Sequence, residues 1–427
     1  MKGVKVAAAA AEIAADDSMG IGGGIFPWFA HEQEGKLRAS AVIVEKDVKI
    51  CIISCDVLMI QRDILDETCR EIESDFGIPF ENVLITATHT HHAPTTVTVH
   101  AYKRDDTFCE RVRDAILLAV RAAEEKLKNV RKAGMYFWLG NESTVGQNSR
   151  LLLKDNTISW GLGRRVKQDT LRPTGPFDTD LPVISFKREG GSLEALLFNH
   201  STHNAESRCR GVRSPGFYGL AAQELEGELG GTVLFLPGAS GSTHNLTLSA
   251  DEMVLRIKYV VEEALSESEP REVSKIVSVK REFEYKVREF DEEREEEAVS
   301  YYCNKRESKP KQKIKVFRKM RKELSKHQGE ARRSWLQAVL LGDIALIGVP
   351  GELFTKLGIQ IKQRSPFCHT YIIELANDYI GYIPDKRAFD FGGYQIWTGF
   401  HSFIEKGTGE AIEDKAIQML SDLQPRA

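Results

Sequence analysis

Residues 83–94 read VLITATHTHHAP, and this stretch decides how the chain is organised. Val83 to Thr88 is a short, β-rich apolar run. It ends at once in His89-Thr90-His91-His92. A run of this length and composition reads as a buried strand. Side chains two apart on a strand face the same way. The spacing therefore predicts that His89 and His91 approach one pocket while His92 faces elsewhere. Imidazole nitrogen is a zinc ligand, and a catalytic zinc keeps one position for water. A His-x-His at a strand end is thus a metal candidate, although a single histidine is more often structural.

The same arrangement recurs along the chain. Lys49 to Cys55 ends in Asp56, and Ala195 to Phe198 ends in Asn199-His200. Thr232 to Leu236 ends in Pro237-Gly238-Ala239-Ser240-Gly241-Ser242, and Ile344 to Val349 ends in Pro350-Gly351-Glu352. Open α/β sheets bind ligands at the carboxyl ends of their strands. Strands end in polar loops in any fold, but these loops begin with His and Glu too often for that alone. The expectation is an α/β fold, a mixed β-sheet core flanked by helices, with all these runs in one sheet. Arg62 to Phe76, Asp106 to Val130 and Ser214 to Leu229 carry helical spacing. Leu336 to Leu341 and Ile344 to Val349 flank Gly342-Asp343, a two-residue hairpin turn. Val4 to Ile13 reads as a first strand rather than a secretory leader, because Glu12 interrupts a weak apolar run.

Composition narrows the function. Of 427 residues, 42% are hydrophobic and 28% charged, the balance of a globular chain. A formal net charge of -4 argues against a nucleic-acid partner. No apolar run is long enough for a transmembrane segment. Seven cysteines without CxxC pairing read as free thiols of a reducing compartment, so a cytoplasmic location is expected. Ser266 to Arg333 is dense in Glu, Lys and Arg, with acidic Asp291 to Glu297 opposed by basic Lys309 to Lys322. A solvated pair of helices is the expected reading, ahead of a partner-binding arm. Without internal repeats, residues 1–427 are expected to form one catalytic domain with a charged helical excursion at about 266–333. The oligomeric state is unknown from sequence.

Read from the residues alone, the further metal candidates are His200 or His203, and Glu352. His244 is an unassigned spare, while His31, His100, His327, His369 and His401 read as surface or structural residues. The Gly238–Ser242 loop offers a different chemistry. It lacks the glycine two residues beyond Ser240 that a nucleophile elbow needs. A serine nucleophile is therefore the lesser reading, and backbone N–H groups presented to a substrate oxyanion the greater.

Four blocks, in this order, resemble the neutral (non-lysosomal) ceramidase family. Ala87 to Pro94 resembles the family's T-H-T-H-S-G/A-P. Phe198-Asn199-His200-Ser201-Thr202 resembles F-x-x-H-P-T. Val349-Pro350-Gly351-Glu352 resembles a P-G-E that follows a G-D hairpin. Leu375 to Pro384, with Gly393-Tyr394, resembles A-N-x-Y-x-G-Y and its downstream tyrosine. The similarity runs from near residue 4 to near residue 420 and implies a neutral-ceramidase-like catalytic domain. It implies Zn2+ held by His89, His200, Glu352 and Tyr382, with His91 beside the metal water. Arg150 would face the substrate, Tyr394 would be the second tyrosine of the site, and Gly241, Ser242 and His244 would lie on the substrate loop. The implied reaction is zinc-dependent hydrolysis of a linear amide (N-acyl) bond.

Departures qualify this. The family's G-D-x-S/N-P loop is Gly241-Ser242-Thr243-His244-Asn245 here, and its H-P-T is His200-Ser201-Thr202. The chain ends soon after the tyrosine block, so a C-terminal immunoglobulin-like domain is not expected. The substrate is accordingly expected to be a small-molecule or lipid amide, and not necessarily ceramide. The alternative is a non-catalytic family member that binds a ligand.

Overall fold

Alanine, valine and isoleucine fill the first strands because these are covered on both faces. A computed structural model describes residues 3–130, 132–161 and 168–424. Strands β1 (Lys5–Glu12), β2 (Arg38–Glu45), β3 (Lys49–Cys55) and β4 (Val83–Ala87) form a sheet in that order. Its first two pairings are antiparallel and β3–β4 is parallel. Helices α1 (Arg62–Phe76) and α2 (Asp106–Asn129) bury Ile72, Val112 and Ile116 against Ala41, Ile53 and Ile85 of this sheet. The expected boundaries have local causes. Gly77, at φ 65°, ends α1, and the Asp105 carboxylate caps α2 by accepting the Phe108 N–H at 2.9 Å.

A second sheet contains β5 (Ala133–Asn141), β6 (Asp180–Arg188), β7 (Leu193–His200), β8 (Thr232–Pro237) and β9 (Glu269–Arg271). Its order is β8-β7-β6-β5-β9, with only β7–β8 parallel. Helices α3 (Gly216–Leu229) and α4 (Ala250–Glu267) cover it. The third sheet begins with β10 (Ile276–Lys286). Two helices follow, α5 (Glu292–Arg306) and α6 (Pro310–Leu324), before β11 (Ala331–Leu341), β12 (Ile344–Gly348) and β13 (His369–Ile373). Strand order here is β10-β11-β12-β13, with only the last pair parallel. Helices α7 (Thr355–Arg364) and α8 (Thr408–Leu423) pack on it.

The architecture is α/β, with mixed sheets flanked by helices. The apolar runs do not share one sheet, however; they are distributed over three. Inner faces of the three sheets meet in one core, where Val42, Leu84, Leu197, Leu234, Leu346 and Ile373 pack together. Strand ends that are remote in sequence therefore still converge. Beyond β12, the two-residue strands Glu352–Leu353 and Tyr382–Ile383 pair in parallel, placing Glu352 directly beside Tyr382.

The charged stretch differs from a solvated helical arm. Its flanks are the strands β10 and β11, and only its middle is helical. One face of the α5–α6 pair is buried: Val299, Tyr302, Ile314, Phe317 and Met320 pack on Ile25 and Trp397. Arg321, with no exposed surface, ties α6 to α5 through Glu292 and Glu296. Among the described residues, no helix is long and apolar enough to cross a membrane.

Candidate metal centre

The His89–His91 pair is built differently from the strand-end reading. β4 stops at Ala87, and His89 has a left-handed backbone, with φ 60°. Such a conformation is uncommon outside glycine. The two imidazoles are thus gathered by a turn rather than by strand alternation. His89 Nδ1 lies 2.9 Å from the Leu58 carbonyl, which fixes Nδ1–H as the donor and leaves the Nε2 lone pair pointing inward. His91 Nε2 sits 3.4 Å from His89 Nε2. His92 turns away to the Ala205 carbonyl at 3.3 Å.

The next imidazole in the cluster is His203. Its Nδ1 pairs with the Ser240 carbonyl at 3.1 Å, so its Nε2 also points inward. His89, His91 and His203 form a triad whose ligand atoms all lie within 4.8 Å of one another, a cluster capable of holding a metal ion. Glu352 completes the constellation. Its Oε2 is 3.4 Å from His89 Nε2 and 3.3 Å from His203 Nε2, and the Tyr382 hydroxyl is 3.4 Å from His203 Nε2. Glu352 Oε2 is buried yet has no hydrogen-bond partner. Buried carboxylate oxygens are almost always satisfied, so this one points to a cation. The spacing agrees: four ligands at about 2.0–2.1 Å from zinc stand about 3.3–3.4 Å apart in a tetrahedron. Carbonyl partners behind both histidines are also the usual support of metal-bound imidazole.

His200 lies outside this group. It is the last residue of β7, still in register with Pro237, and both its nitrogens are engaged. Nδ1 meets the Tyr218 hydroxyl at 2.5 Å and Nε2 the Glu142 carbonyl at 3.0 Å. The sheet holds His200 toward α3, and only the loop beyond it brings His203 to the cluster. Arg150 is also placed differently. Its guanidinium is buried and donates to the Gln395 side chain at 2.9 Å and to the Gly392 and Ala388 carbonyls at 2.6 and 3.3 Å. Arg150 therefore braces the loop that carries Tyr394. The Tyr394 ring lies 5.9 Å from that of Tyr382, stacked between Trp160 and His401, with its hydroxyl 3.2 Å from His100 Nε2.

The glycine-rich loop is packed rather than poised. The Ser240 hydroxyl donates to the Glu374 carboxyl and not to a histidine, which removes the serine-nucleophile reading. Gly241 N–H donates to the Leu353 carbonyl at 2.9 Å, and the Ser242 hydroxyl accepts the Thr355 N–H at 3.1 Å. His244 stacks on His203, ring centres 5.4 Å apart.

Four further contributors escaped the sequence reading. Tyr379 donates to Glu352 Oε1 at 3.2 Å. His100 and His401 form the wall behind Tyr394. Glu374 ends the apolar run of β13, the same signal that marked Glu352, and was passed over. Backbone strain concentrates here, since His89, His100, Leu375 and Asn377 all have positive φ.

Electrostatics follow from burial around one anion. Burial alone would raise the Glu352 carboxyl, but His89 and His203 reverse this and hold it below the usual carboxylate range. Burial works against a charged His89, and Glu352 outweighs it, so its pKa is raised. His91 is pushed well down by burial and then by the neighbouring imidazoles, and His244 falls to about 3 for the same reasons. Burial, then Glu352, raises both Tyr382 and Tyr394. The protein groups alone thus set one carboxylate beside His89, whose protonation it favours, and beside His91, His203 and His244, which resist protonation, so negative charge and free imidazole lone pairs face one point.

Cavities at the protein surface are lined by residues other than the histidines of the cluster and Glu352. One of about 480 Å³ lies beneath α5, lined by Tyr301, Phe389, Phe391, Gly393, Ile396 and Trp397. It is the donor set, not cavity size, that locates the site. His89, His203 and Glu352 are almost fully buried, whereas His91 and His244 are half-buried at its margin.

Comparison with solved structures agrees with the fold. Over its whole length the chain is similar to neutral ceramidase from Pseudomonas aeruginosa, with a TM-score of 0.76, 15% identity and 76% of that chain covered. It is likewise similar to a ceramidase complexed with C2, with a TM-score of 0.72, 14% identity and again 76% coverage of that chain. No protein-family profile and no curated protein sequence matches the chain. At these identities the likeness establishes the fold.

Proposed function

We propose that the chain is a zinc-dependent hydrolase that cleaves a linear amide, with His89, His203, Glu352 and Tyr382 holding the metal. The observation that carries this reading is the convergence of the two Nε2 atoms on the unpartnered Glu352 Oε2 at tetrahedral-edge distances. Bound zinc would supply Lewis acidity, lowering the pKa of a water toward ~7. His91, neutral and only partly exposed beside the ligands, would take the proton of the attacking water and pass it to the leaving nitrogen as the C–N bond breaks. Tyr394 offers its hydroxyl to the substrate carbonyl oxygen. The aromatic wall of Trp160, Phe317 and Trp397 around Tyr394 favours an amide with an apolar acyl group, from a small molecule or a lipid. The ceramidase likeness supports the amide class.

Elemental analysis of the purified chain and two variants tests the ligand set. His203→Ala is expected to lose zinc, whereas His200→Asn keeps it. Full zinc content in His203→Ala would refute the site. Turnover of simple N-acyl amides should disappear with a chelator and return with Zn2+. A zinc-replete protein that hydrolyses none of them would be a ligand-binding protein instead.

A further inference from the structure

We infer that Glu374 is the positioning residue of the metal centre, the group that fixes the spacing of its ligands; this rests on the metal reading above. Glu374 has no exposed surface and follows the last residue of β13. Its Oε2 accepts two backbone N–H groups, Ser240 at 3.0 Å and Leu353 at 3.1 Å. Oε1 accepts the Ser240 hydroxyl. Its own carbonyl accepts the Thr86 hydroxyl at 2.7 Å, and its N–H donates to Pro237 at 2.9 Å.

Each partner supports a different ligand. Ser240 presents the carbonyl that orients His203. Leu353 follows Glu352 in the short strand paired with Tyr382–Ile383. Thr86 lies in β4, three residues before His89. One buried side chain and its backbone therefore join three stretches that carry or orient ligands: β4 before His89, the Ser240 loop behind His203, and the short strand of Glu352. Two backbone N–H groups and a hydroxyl converge on the carboxyl, and a shorter side chain cannot reach all of them. Any one left behind is a buried, unsatisfied donor. The surrounding backbone then relaxes, and the ligands move with it. Groups that support metal ligands in this way typically change metal affinity 10–100-fold when altered.

Two variants separate reach from the ionisable group. Glu374→Asp keeps the carboxyl and loses one methylene. Glu374→Gln keeps the reach: its amide oxygen can accept both backbone N–H groups while its NH2 donates to the Ser240 oxygen. The full chain is stripped with chelator and titrated with Co2+, following the visible d–d bands and the dissociation constant. Glu374→Asp is expected to weaken Co2+ binding on the order of 10–100-fold and to alter the bands. Glu374→Gln is expected to keep both. Wild-type affinity and bands in Glu374→Asp would overturn the inference, even with a lowered melting temperature, because that outcome describes a purely structural residue. Loss of binding in Glu374→Gln with retention in Glu374→Asp would overturn it as well, since the ionisable group would then be what matters. Failure of the wild-type chain to bind Co2+ would instead overturn the metal reading itself.

Discussion

Gly241→Ala is the sharpest test of how the loop and the carboxylate ligand are coupled. A Cβ at residue 241 would lie 2.2 Å from the Glu352 carbonyl oxygen, 2.6 Å from its carbon and 3.0 Å from the Leu353 carbon. All three are backbone atoms, so no rotamer change relieves the clash. Reaching even a tight 3.0 Å requires loop and strand to separate by about 0.8 Å. Metal–ligand distances hold to within about 0.2 Å, so this displacement is several times the tolerance of the site. The Gly241 N–H bond to Leu353 is lost, worth about 1 kcal/mol, and overpacking adds about 1–3 kcal/mol. The expected result is a destabilisation of about 2–4 kcal/mol in denaturant unfolding and at least a tenfold loss of zinc affinity by chelator competition. A variant with wild-type midpoint and affinity would show that the loop does not constrain Glu352.

The two tyrosines should separate on substitution. Tyr382→Phe lowers zinc content, while Tyr394→Phe retains zinc and lowers kcat on the order of 10²-fold; equal behaviour of the two would place neither in its proposed role. Stability should also respond to pH through Glu374, whose carboxyl burial pushes up from 4.5 to about 8. A raised folded-state pKa gives stability that is fully present below 4.5 and is lost as pH rises through about 8. The chelator-treated chain should therefore lose up to about 5 kcal/mol relative to Glu374→Gln across that window, and parallel pH–stability curves for the two would refute this.

Local features were legible in the sequence where local physics decides them. Helix α1 follows from its periodicity and Gly77, and the β11–β12 hairpin follows from Gly342-Asp343. Glu352 and Tyr382, which lie beside the histidine cluster, each sit in a distinctive motif. Read from the residues alone, His200 and His203 stayed open, because the strand-end rule does not say which way the last side chain points; the resemblance implied His200, and pairing of β7 with β8 directs that side chain toward Tyr218 only in three dimensions. The sheet count failed for a related reason. An apolar run shows that a strand is buried, not which strands it pairs with. The resemblance implied that Arg150 faces the substrate, but three backbone and side-chain acceptors hold its guanidinium.

The placement of the α5–α6 pair has a consequence for how this scaffold can diversify. Lys286 and Ala331 are cross-strand partners, so the chain leaves and rejoins the third sheet on the same rung. The helical part of this interval can be lengthened, trimmed or exchanged without changing the register of β10 and β11, whereas Arg288 before it stays tied to Ile396, Ile404 and Ser402. None of the proposed ligands lies in that interval, yet Phe317, which does, packs edge-on to Tyr394. What the protein holds at its centre and what it admits there are thus written on separable stretches of chain, and new preferences can be grafted as a cassette while the chemistry stays fixed.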